Sequence, residues 1–449
     1  MGWKMRRRDF LQQTSLALAG IALTDSIFSR AWAAENISLW ANGELSRVPI
    51  LQGATSDTAT QFTVLRNITR PFVLRLMNAN GELLSYDHEV LTSLAGGGSR
   101  YEVLKIYVRG LKPNTDYRLQ VIDLVSGALR DERVFQTLDI RNRRSLKFAV
   151  VSCMSDEYFA SGDQTWPALL QEKPEVVFII GDAAYINHGD KTPESFWNMH
   201  VQSRIRISYY YAPRLIPTML MWDDHDFGHN DGDSSFAMKN TSLKIWDAFF
   251  GSKSIVGVYD NGPGTNGVFT AFGQNFFLLD DRTFLNKGQK NQSLWGAEGD
   301  EFLFARLEST ALPSFLMNGV QYFGGYLLGS ESFEKEHRVA FKNILGRLSK
   351  IESPVVFVSG DVHFSEVMKI EKEILGYETL EITSSSMHSS IVPGQQFRSY
   401  NKRRLMSTSV HNFVIIESSV QDSGKIKMNL KSVSAKNRVR FSHQAEIAR

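Results

Sequence analysis

Between Asp223 and Asp233 the chain places five aspartates and two histidines, in "MLMWDDHDFGHNDGDSSF" (Met219 to Phe236). Carboxylates packed this closely repel one another, and burial makes the repulsion worse. A bound cation resolves the conflict. Other polar residues repeat the setting of this stretch. Cys153 ends "KFAVVSC", Asp182 ends "VVFIIGD" with Tyr185 three residues on, and Asp361 and His363 end "VVFVSGDVH". In open α/β sheets ligands bind at the carboxyl ends of the strands. Four apolar runs that each end in candidate ligands therefore predict one convergent site. The donor set mixes carboxylates, imidazoles, a phenol and one thiol. Hard oxygens suit calcium, magnesium, manganese or ferric iron, imidazole suits iron or zinc, and a thiolate favours a transition metal. Asp182 can bridge two ions, so the expected centre is dinuclear. An EF-hand reading of the acidic stretch fails, because the register into Gly232 is wrong and position twelve would be Met238.

Each ligand has a plainer reading beside the functional one. A lone cysteine is most often a small buried hydrophobe. Tyr185 fits a core position. Asp223 and Asp226 suit either holding His225 in one tautomer or capping the next turn. Strand-end carboxylates such as Asp182 and Asp361 have the weakest such alternative, since burying them without a cation is costly. No Gly-x-Ser-x-Gly elbow, His-Glu-x-x-His helix or Walker loop is present.

The elements that must position these groups fall into two kinds. Residues 34–139 read as an all-β domain of the fibronectin-III/Ig-like kind. "RPFVLRLMNANGELL" is a strand pair about Asn80-Gly81, and "GLKPNTDYRLQVID" resembles the corner of fibronectin-type-III-like sandwiches through Leu111, Pro113, Thr115 and Tyr117. This segment carries no cluster of reactive side chains and reads as a scaffold. The basic linker "LDIRNRRSL" (Leu138 to Leu146) precedes a second domain, residues 140–449. There, near-continuous apolar runs alternate with amphipathic stretches, the pattern of an α/β domain whose central strands are covered on both faces. "SSSMHSS" (Ser384 to Ser390) reads as a loop.

Residues 1–33 read as a twin-arginine signal peptide. Arg7 and Arg8 precede Phe10, Leu11 and the apolar "SLALAGIALT", and "AWA" at Ala31 to Ala33 has the form of a cleavage site. The mature protein is then expected in the periplasm or secreted, with the twin-arginine export machinery as a partner and no stable membrane span after cleavage. That route exports folded proteins and suits a cofactor loaded beforehand. The chain has 449 residues, 43% of them hydrophobic, and 50 Lys+Arg against 48 Asp+Glu. This balance gives no basic surface for nucleic acid. With one cysteine, no internal disulfide and no multi-cysteine zinc site can form.

The ordered series "FAVVSC", "GDAAY", "WDDHDFGHND", "LLDDRTF", "WGAE" and "SGDVHFSE" resembles the PhoD-like alkaline phosphatases, relatives of the calcineurin-like metallophosphoesterases, over about residues 36–432. The resemblance implies an α/β metallophosphoesterase-like sandwich and a centre of Fe(3+) and Ca(2+). It implies Cys153 and Tyr185 as iron ligands, Asp182 as the bridge, and Asp224, Asn230, Asp361 and His363 as further ligands. It places His225 near the leaving group and Arg282 on the phosphate. His388 is expected to face the substrate. Ala183 and Ala184 stand where the family has bulkier residues and predict a roomier pocket. The implied activity is hydrolysis of phosphate monoesters or diesters. The alternatives are a phospholipase D-like or teichoic-acid phosphodiesterase, and an exported metal-binding protein without turnover.

Overall fold

A computed structural model describes residues 47–93, 99–156, 164–185, 192–324, 332–391, 393–398 and 401–449. The signal-peptide reading of residues 1–33 lies outside them. The first eight strands are β1 (Ile50–Thr55), β2 (Ala59–Asn67), β3 (Phe72–Met77), β4 (Leu83–Leu84), β5 (Asp87–Leu91), β6 (Tyr101–Arg109), β7 (Asp116–Asp123) and β8 (Leu129–Gln136). They form two four-stranded antiparallel sheets, ordered β1-β2-β6-β5 and β4-β3-β7-β8. Alternate residues such as Phe72, Leu74 and Leu76 of β3 enter a shared core with Phe62, Ile106 and Phe135, as strand periodicity requires. The Tyr117 hydroxyl accepts from the Lys112 backbone N–H at 2.8 Å, pinning the turn before β7.

The outer face of the first sheet is not solvated. Leu51, Leu65 and Val103 join the core of the following residues. Gln61 and Lys253 exchange two hydrogen bonds of 2.6 Å across the junction. Arg133, fully buried, spans the same junction by donating to Asp131 and to the Ala212 carbonyl.

The remaining strands are β9 (Ser145–Val151), β10 (Val176–Ile180), β11 (Thr218–Met221), β12 (Tyr259–Asn261), β13 (Gly267–Ala271), β14 (Gln274–Leu279), β15 (Ser314–Asn318), β16 (Val355–Ser359), β17 (Ser365–Ile370), β18 (Thr379–Thr383), β19 (Arg404–Thr408), β20 (Asn412–Val420), β21 (Ile426–Ser434) and β22 (Arg438–Ile447). They build two mixed sheets, β11-β10-β9-β20-β21-β22 and β12-β13-β14-β15-β16-β18-β17-β19. Within them β9, β10 and β11 run parallel, as do β14, β15, β16 and β18.

The apolar runs explain the stacking. In β9, Phe148 and Val150 point into the core between the sheets, and Ala149 and Val151 point to the helical layer. Phe148 meets Phe276 and Phe315 of the other sheet at ring separations of 5.3 and 5.4 Å. The helices Thr165–Glu172, Pro193–Arg206 and Lys239–Phe250 cover the outside of the six-stranded sheet with Trp166, Trp197 and Trp246. Both faces of β9 and β10 are thus buried, which is why their sequences show no polar alternation. The candidate ligands do not all leave a single open sheet. Cys153, Asp182 and Asp224 follow β9, β10 and β11, whereas Asp361 and His363 follow β16 of the second sheet.

Candidate metal centre

Four of the predicted site residues share a backbone feature that sequence alone does not show. Cys153, Asp182, Asp361 and His363 have φ of 57°, 56°, 63° and 55°. Side chains rarely adopt this left-handed region, and each such residue costs of order 1–3 kcal/mol. The turn each strand makes on leaving its sheet is what points the side chain across the strand ends. Gly181, at φ +98°, precedes Asp182 and supplies a conformation that only glycine takes easily. Gly360 meets a need for space rather than for a left-handed φ. A Cβ there would lie 2.8 Å from Ser152 Oγ and 3.0 Å from the Ile180 carbonyl, so it lets the β16 loop close onto β9 and β10.

These turns create two groups that share Asp182. Donor atoms of Cys153, Asp182 and His363 lie within 4.8 Å of one another, and so do those of Asp182, Asp224 and His225. Tyr185 donates its hydroxyl to Asp182 Oδ2 at 3.0 Å, and its ring stacks on His225 at 4.1 Å. Asp361 falls in neither group, but its charge helps to raise the Cys153 and Asp182 pKa values, and its carbonyl lies 3.7 Å from Cys153 Sγ.

The electrostatics of the site call for positive charge. Burial, then Asp182, pushes the Cys153 thiol well up. Burial, then Asp224 and Asp223, does the same to the Asp182 carboxyl, and burial, then Asp182, to the Tyr185 phenol. Burial and then His225 push His363 down to about 4, leaving the neutral imidazole that ligates metals. Asp224 is buried, and its Oδ1 has no hydrogen-bond partner among the described residues. A cation between these donors would offset the repulsion and satisfy that oxygen. Carboxylate, thiol, phenol and imidazole form a donor set that fits two metal ions.

The acidic stretch divides its labour. Asp223 caps the single helical turn Asp224–Phe227, accepting from the Asp224 N–H at 2.9 Å. Asp226 accepts from the backbone N–H groups of Ala183 at 3.2 Å and Ala184 at 2.8 Å, tying the β11 loop to the β10 loop. Asp231 donates its backbone N–H to Asp224 Oδ2 at 2.6 Å.

Arg282, expected on the phosphate, is held by the acidic stretch and its loop. It is fully buried, with Nε donating to Asp223 Oδ1 at 2.6 Å and Nη1 to the Gly232 carbonyl at 3.3 Å. His388 is also fully buried. Its Nδ1 lies 2.9 Å from the Ser155 carbonyl and its ring meets the edge of Trp166. Asn230, expected as a further ligand, is exposed, and its amide donates to Asp231 Oδ2 at 2.7 Å. Ala183 and Ala184 are both buried, and Asp226 holds their backbone amides.

The serine-rich segment is a loop, as its sequence reads, and it is buried against the site. Ser385 donates its hydroxyl to Cys153 Sγ at 3.2 Å and accepts from the His363 N–H at 2.9 Å. Ser389 Oγ lies 2.9 Å from His363 Nε2. The sequence signal was faint: in "TLEITSSS" only Leu380 and Ile382 are apolar, alternating with Thr379, Glu381 and Thr383.

No family model matches the chain, and no curated protein matches it. Solved structures do. PhoD superposes with a TM-score of 0.65 at 14% identity, covering 88% of this chain and 91% of that one. A purple acid phosphatase from seeds of yellow lupin (Lupinus luteus) gives 0.62 at 14% identity, covering 88% of this chain and 73% of that one. The chain therefore shares the fold of these two proteins, an α/β architecture of mixed sheets.

Proposed function

We propose that this protein is an exported, metal-dependent phosphoric ester hydrolase. The observation that carries the reading is the pair of donor groups joined through Asp182, set at the strand ends of a fold shared with two phosphatases. Cys153, Tyr185, His363 and Asp361 would hold one ion and Asp224 the other, with Asp182 common to both and His225 beside them. Ferric iron suits the thiolate and phenolate side, and calcium the carboxylate side. When bound, such ions supply charge neutralisation for the phosphoryl oxygens and a nucleophile at working pH.

The chain's own residues do the rest. Asp226 and Arg282 fix the loops that carry Asp182, Asp224 and His225. Ser385 and Ser389 orient Cys153 and His363. His225 is half-buried against Tyr185, which leaves its ring available to the departing ester oxygen. Water forms the new bond to phosphorus and gives up one proton to solvent, the bond to the ester oxygen breaks, and His225 gives that oxygen its proton and is reprotonated from solvent. The cysteine is a ligand in this scheme, so no phospho-enzyme forms. Residues 34–139 serve as a fibronectin-III-like scaffold for residues 140–449, and the N-terminal signal directs twin-arginine export to the periplasm or beyond. Among the described residues no helix is long and apolar enough to cross a membrane.

The test is turnover of p-nitrophenyl phosphate against bis-p-nitrophenyl phosphate by protein supplied with iron and calcium. Monoester preference supports an alkaline phosphatase, and diester preference a phosphodiesterase acting on lipid or wall-polymer esters. Metal bound without turnover of either would contradict the hydrolase and support a metal-binding protein.

A further inference from the structure

Ser389 lies where two candidate ligands of one ion meet. Its side chain is buried, with Oγ 2.9 Å from His363 Nε2. The same hydroxyl is a hydrogen-bond partner of the Tyr185 phenol. The two ligands reach it from different sheets, since Tyr185 follows β10 and His363 follows β16. The backbone of Ser389 is fixed on both sides. Its N–H donates to Ser386 Oγ at 2.7 Å, and its carbonyl lies 2.7 Å from His411 Nε2. A carbonyl only accepts, so His411 Nε2 carries the proton of that bond. His411 directly precedes β20, whose first residue, Asn412, donates its N–H to the Ser386 carbonyl at 3.0 Å. The start of β20 thus clamps the segment that carries Ser389.

A buried serine is ordinarily satisfied by whatever lies near it. What sets Ser389 apart is that both partners of its hydroxyl are candidate ligands of the same ion. A neutral imidazole has one nitrogen that accepts and one that donates. Once His363 holds an ion, the first is committed to the metal and the second carries N–H. Neither tautomer then offers Ser389 an acceptor, so its single proton goes to the Tyr185 oxygen. Charge favours the same direction. Burial and then Asp182 push the Tyr185 phenol well up, and the Ser389 bond acts the other way, toward the phenolate that ligates iron. Cys153 has a matching partner, because Ser385 donates to its Sγ at 3.2 Å. One short serine run therefore supplies a hydroxyl to the thiolate and another to the phenolate.

We infer that in the metal-loaded protein Ser389 donates its hydrogen bond to the Tyr185 phenolate and thereby tunes the iron, with His411 holding Ser389 in place. The inference rests on the metal-centre reading above and deepens it. Ser389 acts through Tyr185, as a positioning residue. A hydrogen bond to a ligating oxygen draws off part of the charge that the oxygen gives to the metal. Its loss leaves the phenolate a stronger donor, which lowers the energy of phenolate-to-ferric charge transfer and favours ferric over ferrous iron.

The test compares four iron-loaded full chains: the natural one, Ser389→Ala, Ser389→Thr and Ser384→Ala, with melting temperature as a check on folding. Ser384 is the control from the same run, because its hydroxyl donates to the Val150 carbonyl at 2.7 Å. In Ser389→Ala the charge-transfer band should move to longer wavelength and the reduction potential of the iron should fall. Ser389→Thr keeps the hydroxyl and should return both toward their natural values, and Ser384→Ala should move neither. The assignment is overturned if Ser389→Ala leaves band and potential unmoved, if Ser384→Ala moves them equally, or if Ser389→Thr is displaced as far as Ser389→Ala. A natural chain that binds iron without a phenolate band would show that Tyr185 is no iron ligand, and that part of the metal-centre reading would fall together with the role of Ser389. A natural band that no Ser389 variant moves sinks the role of Ser389 alone. Should Ser389→Ala melt early, His411→Ala is read in its place. It frees the Ser389 carbonyl, the same directions are expected, and an unmoved band again overturns the assignment.

Discussion

Arg282 Nε donates to Asp223 Oδ1 at 2.6 Å, and neither side chain reaches solvent. Asp281 lies against the same guanidinium at 3.8 Å. Burial and then Asp223 push the Asp281 carboxyl well up, so the arginine is what allows two buried acids to coexist. Asp223 in turn caps the helical turn that presents Asp224 and His225. The arginine therefore positions two site residues through a third.

Removing one partner of a buried ion pair leaves an uncompensated charge, at a cost of about 3–5 kcal/mol. Arg282→Met is expected to lose stability on that scale in urea unfolding and to bind metal poorly. A variant of normal stability with only a raised KM would instead mean that Arg282 touches the phosphate.

Gly319 passes close to the same pair. A Cβ at this position would meet Asp223 Cγ at 2.6 Å and Asp281 Oδ2 at 2.8 Å. Gly319→Ala should destabilise the fold by about 1–3 kcal/mol through forced displacement of these carboxylates. Thermal unfolding measures it, and an unchanged melting temperature would show that the loop has room to yield.

Ser385 touches two candidate ligands and is itself none. Loss of such a supporting hydrogen bond typically lowers metal affinity about 10–100-fold. Ser385→Ala should show that loss in metal titration while unfolding at nearly the natural denaturant concentration. An equal loss of stability and affinity would mark it as ordinary packing.

Glu381 gives a pH dependence away from the ligands. It is fully buried and accepts from the Tyr322 and Phe323 N–H groups and the Ser359 hydroxyl, each at 2.8 Å. Burial outweighs these bonds and pushes its pKa from 4.5 up to about 7. Between those values the native chain holds a proton that the unfolded chain has released, so stability falls as pH rises. The contribution is complete below pH 4.5 and lost as pH passes 7. Urea midpoints should fall more from pH 5 to 7.5 in the natural chain than in Glu381→Gln. Parallel midpoints would contradict the shift.

Much of this was legible in the sequence because a strand end is a local signal. An apolar run followed by Gly-Asp, or by Asp-Asp-His, states both the element and the exit of the ligand. Cys153, Asp182, Asp224, His225 and His363 came together on that basis, with Tyr185 stacked beside them. What the sequence hid is long-range. Arg282 and Asp223 are 59 positions apart, and nothing in "LLDDRTF" says that the guanidinium turns inward. Ser385 and Cys153 are 232 apart, so the run that reads as a loop does not reveal which residues it touches. The division of ligands between two sheets was equally hidden, because parallel strands of one sheet or of two have the same apolar pattern.

The central claim is that Asp182 joins two metal positions, and the most direct test is Asp182→Asn with metal content and ester turnover measured on the same preparation. The account predicts that bound metal and hydrolysis of p-nitrophenyl phosphate and bis-p-nitrophenyl phosphate fall together, while the fold is kept. A variant that retained its full metal complement and its turnover would contradict it.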